Sequence, residues 1–477
     1  MILTLAVRWY LFTADYTIGG DGIRYVTAGR SFWQGNWAEG LNSFYPPFFP
    51  LLIAAAYPVA GNWELAGRLW PLILGILMLW PLFAVLKRTY GPGIACVGML
   101  VYSISPYLAR FSVDVRSEVP YTFFFLLSVY FFLKGIDSAA RRWFFFMGLS
   151  AALAYLIRPE GIGLAMVGVA YLAYLGWAGR APGKIYPRAA LLCAGFILVA
   201  APYVVYLRWD TGGWTISRKT ANVLALGITH YDKSLGAVRR ESSDRVDAIG
   251  LASSRPLVYA KKVFFDGFRT LDTYAVALHY SALPFLLIGW YVLFRSRFRE
   301  AKDFPLLAFV VFYFAVFSIF YPSRRFTIPL VPISLGWVAL GFLTLVEYSR
   351  ARLPALKANA VAALVIALFS AATLPKTLKA AGEKSFARDA AAYLDGKPDR
   401  PLVLSTNPQV AFYAEESRVV HARPDVFLSR LAAMGPHYLA LDQDSFQAAG
   451  ERLMRQGWSL DRQFLGRRDG IYILTLR

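Results

Sequence analysis

The chain has 477 residues, of which 57% are hydrophobic, 16% aromatic and only 17% charged, against roughly 25% charged in an ordinary soluble domain. A formal charge of +20 suggests a nucleic-acid binder, but from residue 383 onward 13 Lys and Arg face 12 Asp and Glu. The excess therefore lies in the apolar part, mostly in short loops, which is the arrangement of the positive-inside rule. Nucleic acid is excluded as a partner, and a polytopic α-helical membrane protein is predicted.

Apolar runs fall at about 1–13, 65–86, 92–109, 119–133, 143–157, 161–177, 189–207, 281–294, 304–321, 326–346 and 358–374, giving about eleven transmembrane helices. With the N-terminus inside, the inner loops carry 15 Lys and Arg, from Lys87 to Lys357, and the short outer loops carry 5. That asymmetry predicts a cytoplasmic N-terminus and an outside C-terminus. The first run is short for a span. It has no basic n-region and no A-x-A site, so it reads as a span rather than a signal peptide, with room for a start further upstream. Cys96 and Cys193 sit inside separate apolar runs and predict packing, with neither a disulfide framework nor a metal cluster.

Residues 1–375 thus read as a membrane domain with two polar outer segments, 13–64 and 208–280. The first contains Tyr45-Pro46-Pro47 ahead of an amphipathic stretch, Phe48 to Ala60, that suits an interfacial helix. Residues 383–477 read as a small extracytoplasmic α/β domain. Strand-like runs at Pro401 to Ser405, Arg418 to His421, Tyr438 to Leu441 and Gly470 to Leu476 alternate with helical patterns at Val426 to Met434 and Phe446 to Gln456. No G-x-G-x-x-G follows these strands, so no nucleotide fingerprint is present.

Ionisable groups at a membrane surface are costly and call for a reason. Asp21, between Gly20 and Gly22 after the first run, is a carboxylate on a tight turn. Partial desolvation there would raise its pKa and suit a general base, although a capping aspartate before a helix over 22–34 has the same setting. Asp15 is a nearby rival without the glycines. Asp114 and Glu118 open the fourth span four residues apart, the spacing of one helix face, where two carboxylates could converge on a ligand or a divalent metal or simply cap a helix. Arg158-Pro159-Glu160 is either a self-satisfied pair or part of a site. The outside arginines Arg324 and Arg325 have the geometry for a phosphate or for headgroup anchoring. Lys219, near Trp214, suits phosphate or sugar in the same way, as an exposed basic loop also would. The four histidines show no zinc spacing.

Taken in order, Asp21 with Tyr25, the element Tyr45-Pro46-Pro47-Phe48-Phe49-Pro50, Arg68, Ser117-Glu118, Ile157-Arg158-Pro159-Glu160-Gly161 and Arg324-Arg325-Phe326 before Pro329 resemble the GT-C superfamily of polyprenyl-phosphate-sugar-dependent glycosyltransferases. That superfamily includes protein O-mannosyltransferases and lipid A aminoarabinose transferases, and the resemblance spans about residues 1–375. It implies a GT-C-like fold in a bacterial cytoplasmic membrane, with the active site outside. It further implies Asp21 as catalytic base, Glu118 in substrate or metal positioning (Mg or Mn), and surface arginines on the lipid phosphate. Where relatives often carry a Lys before Pro-Pro this chain has Tyr45, so Lys219, Arg158 or Arg324 would take over the phosphate; Gly22 stands where many relatives have a second acid. The implied partners are a polyprenyl-phosphate-linked sugar, membrane lipid, and a glycan, lipid or protein acceptor. A lipid-linked-glycan flippase, a polymerase or ligase of such glycans, and an inactive scaffold are the rival readings.

Overall fold

The computed structural model describes residues 1–138, 140–179, 185–231, 250, 253–297, 303–379, 385–398, 400–414, 417–424, 426–466 and 469–476. Arg180, Lys184, Arg299 and Lys302, counted among the inner-loop charges, lie outside these residues, as does Glu383.

Each of the eleven apolar runs lies in helix. Six helices are long and apolar enough to cross a membrane: Trp63–Tyr90, Glu118–Ser138, Pro159–Trp177, Ile185–Thr211, Arg324–Arg352 and Ala355–Thr377. A seventh span results if the pair Pro256–Leu278 and Tyr280–Arg295, bent by 92°, counts as one. Ile2–Thr13, Phe48–Ala60, Pro92–Ile104 and Phe304–Ile319 are shorter apolar helices. The stretch 208–280, expected as a polar loop, contains helices Arg218–Tyr231 and Pro256–Leu278. The whole is a polytopic helical membrane protein with a small sheet domain at its C-terminal end.

Small residues let the helices approach closely, as is usual where apolar side chains gain little from leaving lipid. A Cβ at Gly148 would collide with the Leu192 carbonyl oxygen, and one at Gly195 with that of Phe145. Helices Arg142–Tyr155 and Ile185–Thr211 therefore cross backbone to backbone. Gly289 and Gly341 serve the same purpose between Leu283–Val292 and Val331–Arg352.

The chain forms two compact units, one of residues 1–8 and 28–378, the other of residues 9–27 and 379–477. The second contains five strands, β1 Leu402–Ser405, β2 Arg418–His421, β3 Tyr438–Asp442, β4 Trp458–Leu465 and β5 Gly470–Leu476, in the order β2-β1-β3-β5-β4. β1 lies parallel to β2 and β3, while β5 runs antiparallel to β3 and β4. One face packs Val403, Ala440 and Ile473 against Ala387, Ala391 and Val410. The other packs Leu404, Leu439 and Leu474 against Phe427, Leu453 and Trp458. The three inner strands β1, β3 and β5 are thus apolar on both faces, as a helix-covered sheet requires.

Candidate functional site

In the first unit, Glu118 is fully buried at the first position of the helix Glu118–Ser138. Arg325 donates its Nε–H to Glu118 Oε1, and Arg158 Nη1 lies 3.3 Å from the same oxygen. Arg158 also reaches Glu160 Oε1 through Nη2 at 3.2 Å and donates to Ser117 Oγ at 3.5 Å. One guanidinium, itself 3% exposed, therefore joins two carboxylates 42 residues apart in sequence. Its flat faces lie near the rings of Phe326, at 5.1 Å, and Tyr121, at 5.9 Å, which suits a weakly hydrated planar cation.

The arginine is placed by local structure. Pro159 and Glu160 form a single 3-10 turn, Pro159–Gly161, with Arg158 extended ahead of it. A Cβ at Gly161 would collide with the backbone of Tyr155, so the turn closes only on glycine. Tyr313 donates its hydroxyl to the Glu160 carbonyl at 2.8 Å and receives that of Tyr121 at 3.3 Å, fixing the turn to two neighbouring helices.

Lys219 opens the helix Arg218–Tyr231, which the Arg218 N–H anchors on the Ser43 carbonyl at 3.1 Å. Its Nζ stands 5.9 Å from the rings of both Phe326 and Tyr45. Burial, and then the Arg158 charge, hold its pKa below the usual lysine range, against the pull of Glu160 and Glu118. Half-buried Tyr45 thus belongs to this neighbourhood. A cavity of about 300 Å³ opens beside it, lined by Glu160, Met166, Lys219, Phe312, Phe320 and Phe326 among others. It is an apolar pocket with a cation and a carboxylate at its wall. The second oxygens of Glu118 and Glu160 have no hydrogen-bond partner among the described residues.

Two expectations need correction. Asp114 and Glu118 do not share a helix face, because the helix begins at Glu118 and Asp114 lies in the turn before it. Proline at position 120 and the tight turn ahead of Ser117 shorten the helix at that end. Asp114 instead pairs with Arg116. Burial works against the Arg116 charge, and the Asp114 and Glu118 carboxylates outweigh it, so its pKa is raised. Arg324, next to Arg325, is exposed and is not brought to the cluster.

Nor does Glu118 suit a divalent metal. Arg116, Arg158, Arg325 and Lys219 outnumber Asp114, Glu118 and Glu160, and a second cation would meet net repulsion. Among the described residues no group of three His, Cys, Asp or Glu could hold a metal ion.

Asp21 belongs to the second unit, where it is half-exposed in the first turn of the helix Gly20–Trp33. Its rival Asp15 pairs with Arg388 at 3.5 Å. Arg116, Tyr121 and Tyr313 were not singled out from sequence, and Phe326 entered only within the Arg324-Arg325-Phe326 motif. Arg116 carries the one usable signal, an outside arginine two residues from each of two acids.

The buried arginine–carboxylate cluster and its apolar cavity lie in a multi-pass helical protein whose fold, by superposition, is of the GT-C membrane type. Residues 45–207 match the dolichyl-phosphate-mannose-protein mannosyltransferase family. Among curated protein sequences, none matches the chain significantly. ArnT from Cupriavidus metallidurans bound to undecaprenyl phosphate superposes with a TM-score of 0.60 at 16% identity, covering 99% of this chain and 96% of that one. The Archaeoglobus fulgidus oligosaccharyltransferase in complex with Zn and sulfate gives 0.61 at 14%, covering 92% and 67%. The same organism's AglB, in complex with an inhibitory peptide and a dolichol-phosphate, gives 0.57 at 13%, covering 92% and 68%.

Proposed function

We propose that this protein is an inverting glycosyltransferase that moves a sugar from a polyprenyl-phosphate donor to an acceptor hydroxyl on a glycan, lipid or protein. The observation that supports it most is the pair Arg158 and Arg325 on buried Glu118, with Lys219 at the wall of an apolar cavity. Anionic phosphate asks for such cations and a prenyl chain for such a cavity. The lipid phosphates in the ArnT and AglB structures have this chemistry.

In the reaction, the acceptor oxygen attacks the anomeric carbon and the bond from that carbon to the phosphate oxygen breaks. The acceptor proton passes to the Asp21 carboxylate, and the lipid phosphate leaves with the electron pair. A positioned base contributes about 10² to 10⁴ in rate. Arg158, Arg325 and Lys219 meet the charge that grows on the phosphate. Glu118 and Glu160 orient Arg158, Asp114 orients Arg116, and Tyr45 lines the lysine. Arg324, exposed, suits a lipid headgroup. No step runs through a metal.

The membrane is a bacterial cytoplasmic membrane, as the family resemblance implies, and the loop charges favour the N-terminus inside and the chemistry outside. Residues 1–375 carry the transferase and 383–477 an extracytoplasmic α/β domain, residues 9–27 of the former lying in one compact unit with the latter.

The test is reconstitution of the full chain in liposomes with undecaprenyl-phosphate-linked hexose, N-acetylhexosamine and aminopentose, native envelope material serving as acceptor. One of the three sugars is transferred by the wild-type chain and not by Asp21→Asn. Transfer by Asp21→Asn at the wild-type rate would remove the base assignment, and failure of all three donors would remove the reaction class.

A further inference from the structure

The segment that precedes Asp21 is held by side chains of the C-terminal domain, within one compact unit. Ile18 is fully buried, and both of its backbone polar groups are taken. Its N–H donates to the Tyr413 hydroxyl at 2.8 Å, and its carbonyl accepts from Gln409 Nε2 at 2.6 Å. Two residues earlier, the Tyr16 carbonyl accepts from Arg388, which also pairs with Asp15 and stacks on the Tyr413 ring at 5.0 Å. Tyr16 itself is buried.

Gln409 and Tyr413 lie on the helix Pro408–Tyr413, which follows β1 directly and is capped by Asn407 on the N–H groups of Gln409 and Val410. In parallel α/β domains, the loop from a strand's carboxyl end into its helix is where ligands are ordinarily bound. Here a residue of that first turn binds the chain's own backbone. Downstream of Asp21 the same unit acts again: Arg24 lies near enough to His421, at the end of β2, to help burial lower the histidine pKa. Tyr25 and Val26 are buried as well. Asp21 thus stands on a short bridge held on both sides, between two glycines that would otherwise leave it loose.

We propose that the C-terminal domain is the positioning device for Asp21, with Gln409 and Tyr413 clamping the Ile18 backbone and Arg388 that of Tyr16. The inference rests on the reading of Asp21 as base. The three side chains touch no substrate; they act through the turn they hold. A loosened turn leaves donor binding intact and misplaces the base, so the effect falls on kcat and not on KM.

The experiment uses the full chain in liposomes, with the undecaprenyl-phosphate-linked sugar that the wild-type protein transfers. Tyr413→Phe and Gln409→Ala each lower kcat about tenfold or more and leave the donor KM within about twofold. Both speed amide exchange over residues 16–22. Tyr393→Phe, which removes a hydroxyl bonded to Asp461 elsewhere in the same domain, serves as the comparison and leaves kcat unchanged. Wild-type kcat in either clamp variant, unchanged exchange at 16–22, a change confined to KM, or an equal loss with Tyr393→Phe overturns the proposal. Asp21→Asn is run alongside. If it transfers normally, the base assignment fails, whereas its inactivity with normal clamp variants removes the clamp alone.

Discussion

Arg325 donates its Nε–H to the Glu118 oxygen that Arg158 also approaches, so two guanidinium groups 167 residues apart in sequence converge on one buried carboxylate. Removing that negative charge leaves both arginines facing each other in a low dielectric. Breaking a buried pair costs about 3–5 kcal/mol, and the lower end applies here because the Arg325 side chain is 33% exposed. Glu118→Gln is therefore expected to lower the melting temperature and, by loosening the arginines, to lower kcat/KM about a hundredfold. Chelator should affect the variant and the wild type alike, since Glu118 does not suit a metal. Thermal unfolding in detergent and transfer assays with and without EDTA check both points.

Adjacent arginines separate cleanly. Arg325→Ala removes a cation from the cluster and is expected to cost about a hundredfold in kcat/KM. Arg324→Ala removes an exposed group and should stay within about twofold, as exposed charges usually do. Equal losses in the two variants would contradict the difference in burial.

Lys219 gives a pH signature. Lysine is charged below its pKa, and here burial and Arg158 lower that pKa. The cation is therefore lost on the alkaline side earlier than an exposed lysine would lose it, and kcat/KM falls with it. Lys219→Arg keeps its charge throughout, so its alkaline limb should move to higher pH even if its maximum is lower. Profiles of kcat/KM for the free enzyme report this directly.

Much of the fold was legible from residue patterns, because hydropathy periodicity sets helices and strands locally. The runs at 119–133 and 189–207 lie in Glu118–Ser138 and Ile185–Thr211, and the amphipathic stretch Phe48–Ala60 is a helix with those bounds. Pro256–Leu278 was hidden by Lys262, Asp266 and Arg269, which dilute its hydropathy, although two of them satisfy each other. β4 was missed because its pattern, Trp458-Ser-Leu-Asp-Arg-Gln-Phe-Leu465, carries charges in mid-strand. As an edge strand with an irregular register between Leu460 and Arg462, it keeps them in solvent.

The candidate site was legible residue by residue and not as a constellation. Arg158-Pro159-Glu160 gave its own local pair, but sequence spacing cannot reveal that Arg158 also reaches Glu118 or that Arg325 arrives from a distant helix. Asp114 went astray because a helical offset of four was assumed through a turn. The clamp residues Gln409 and Tyr413 carry no motif, since any side chain of suitable length can bond a passing backbone.

The Lys219 helix is held by a buried lysine on a neighbouring helix. Lys262, fully buried, donates from Nζ to the carbonyls of Ser318, Ile319 and Phe320 at 2.9, 2.6 and 2.8 Å and lies 3.1 Å from Asp266 Oδ2. It satisfies carbonyls that the end of the helix Phe304–Ile319 leaves unbonded. Gly227 makes room for this cap: a Cβ there would strike the Phe320 carbonyl and approach Lys262 Cε at 2.9 Å. Since Gly227 lies on the helix Arg218–Tyr231 that carries Lys219, one strut connects that helix to the turn before Arg325. Lys262→Met leaves Asp266 buried without its counter-charge and should cost about 3–5 kcal/mol, measured by thermal unfolding. Gly227→Ala should cost less stability, because the helix can tilt away, yet weaken the binding of undecaprenyl phosphate by displacing Lys219. Tight binding by Gly227→Ala would show that the lysine helix does not depend on this crossing.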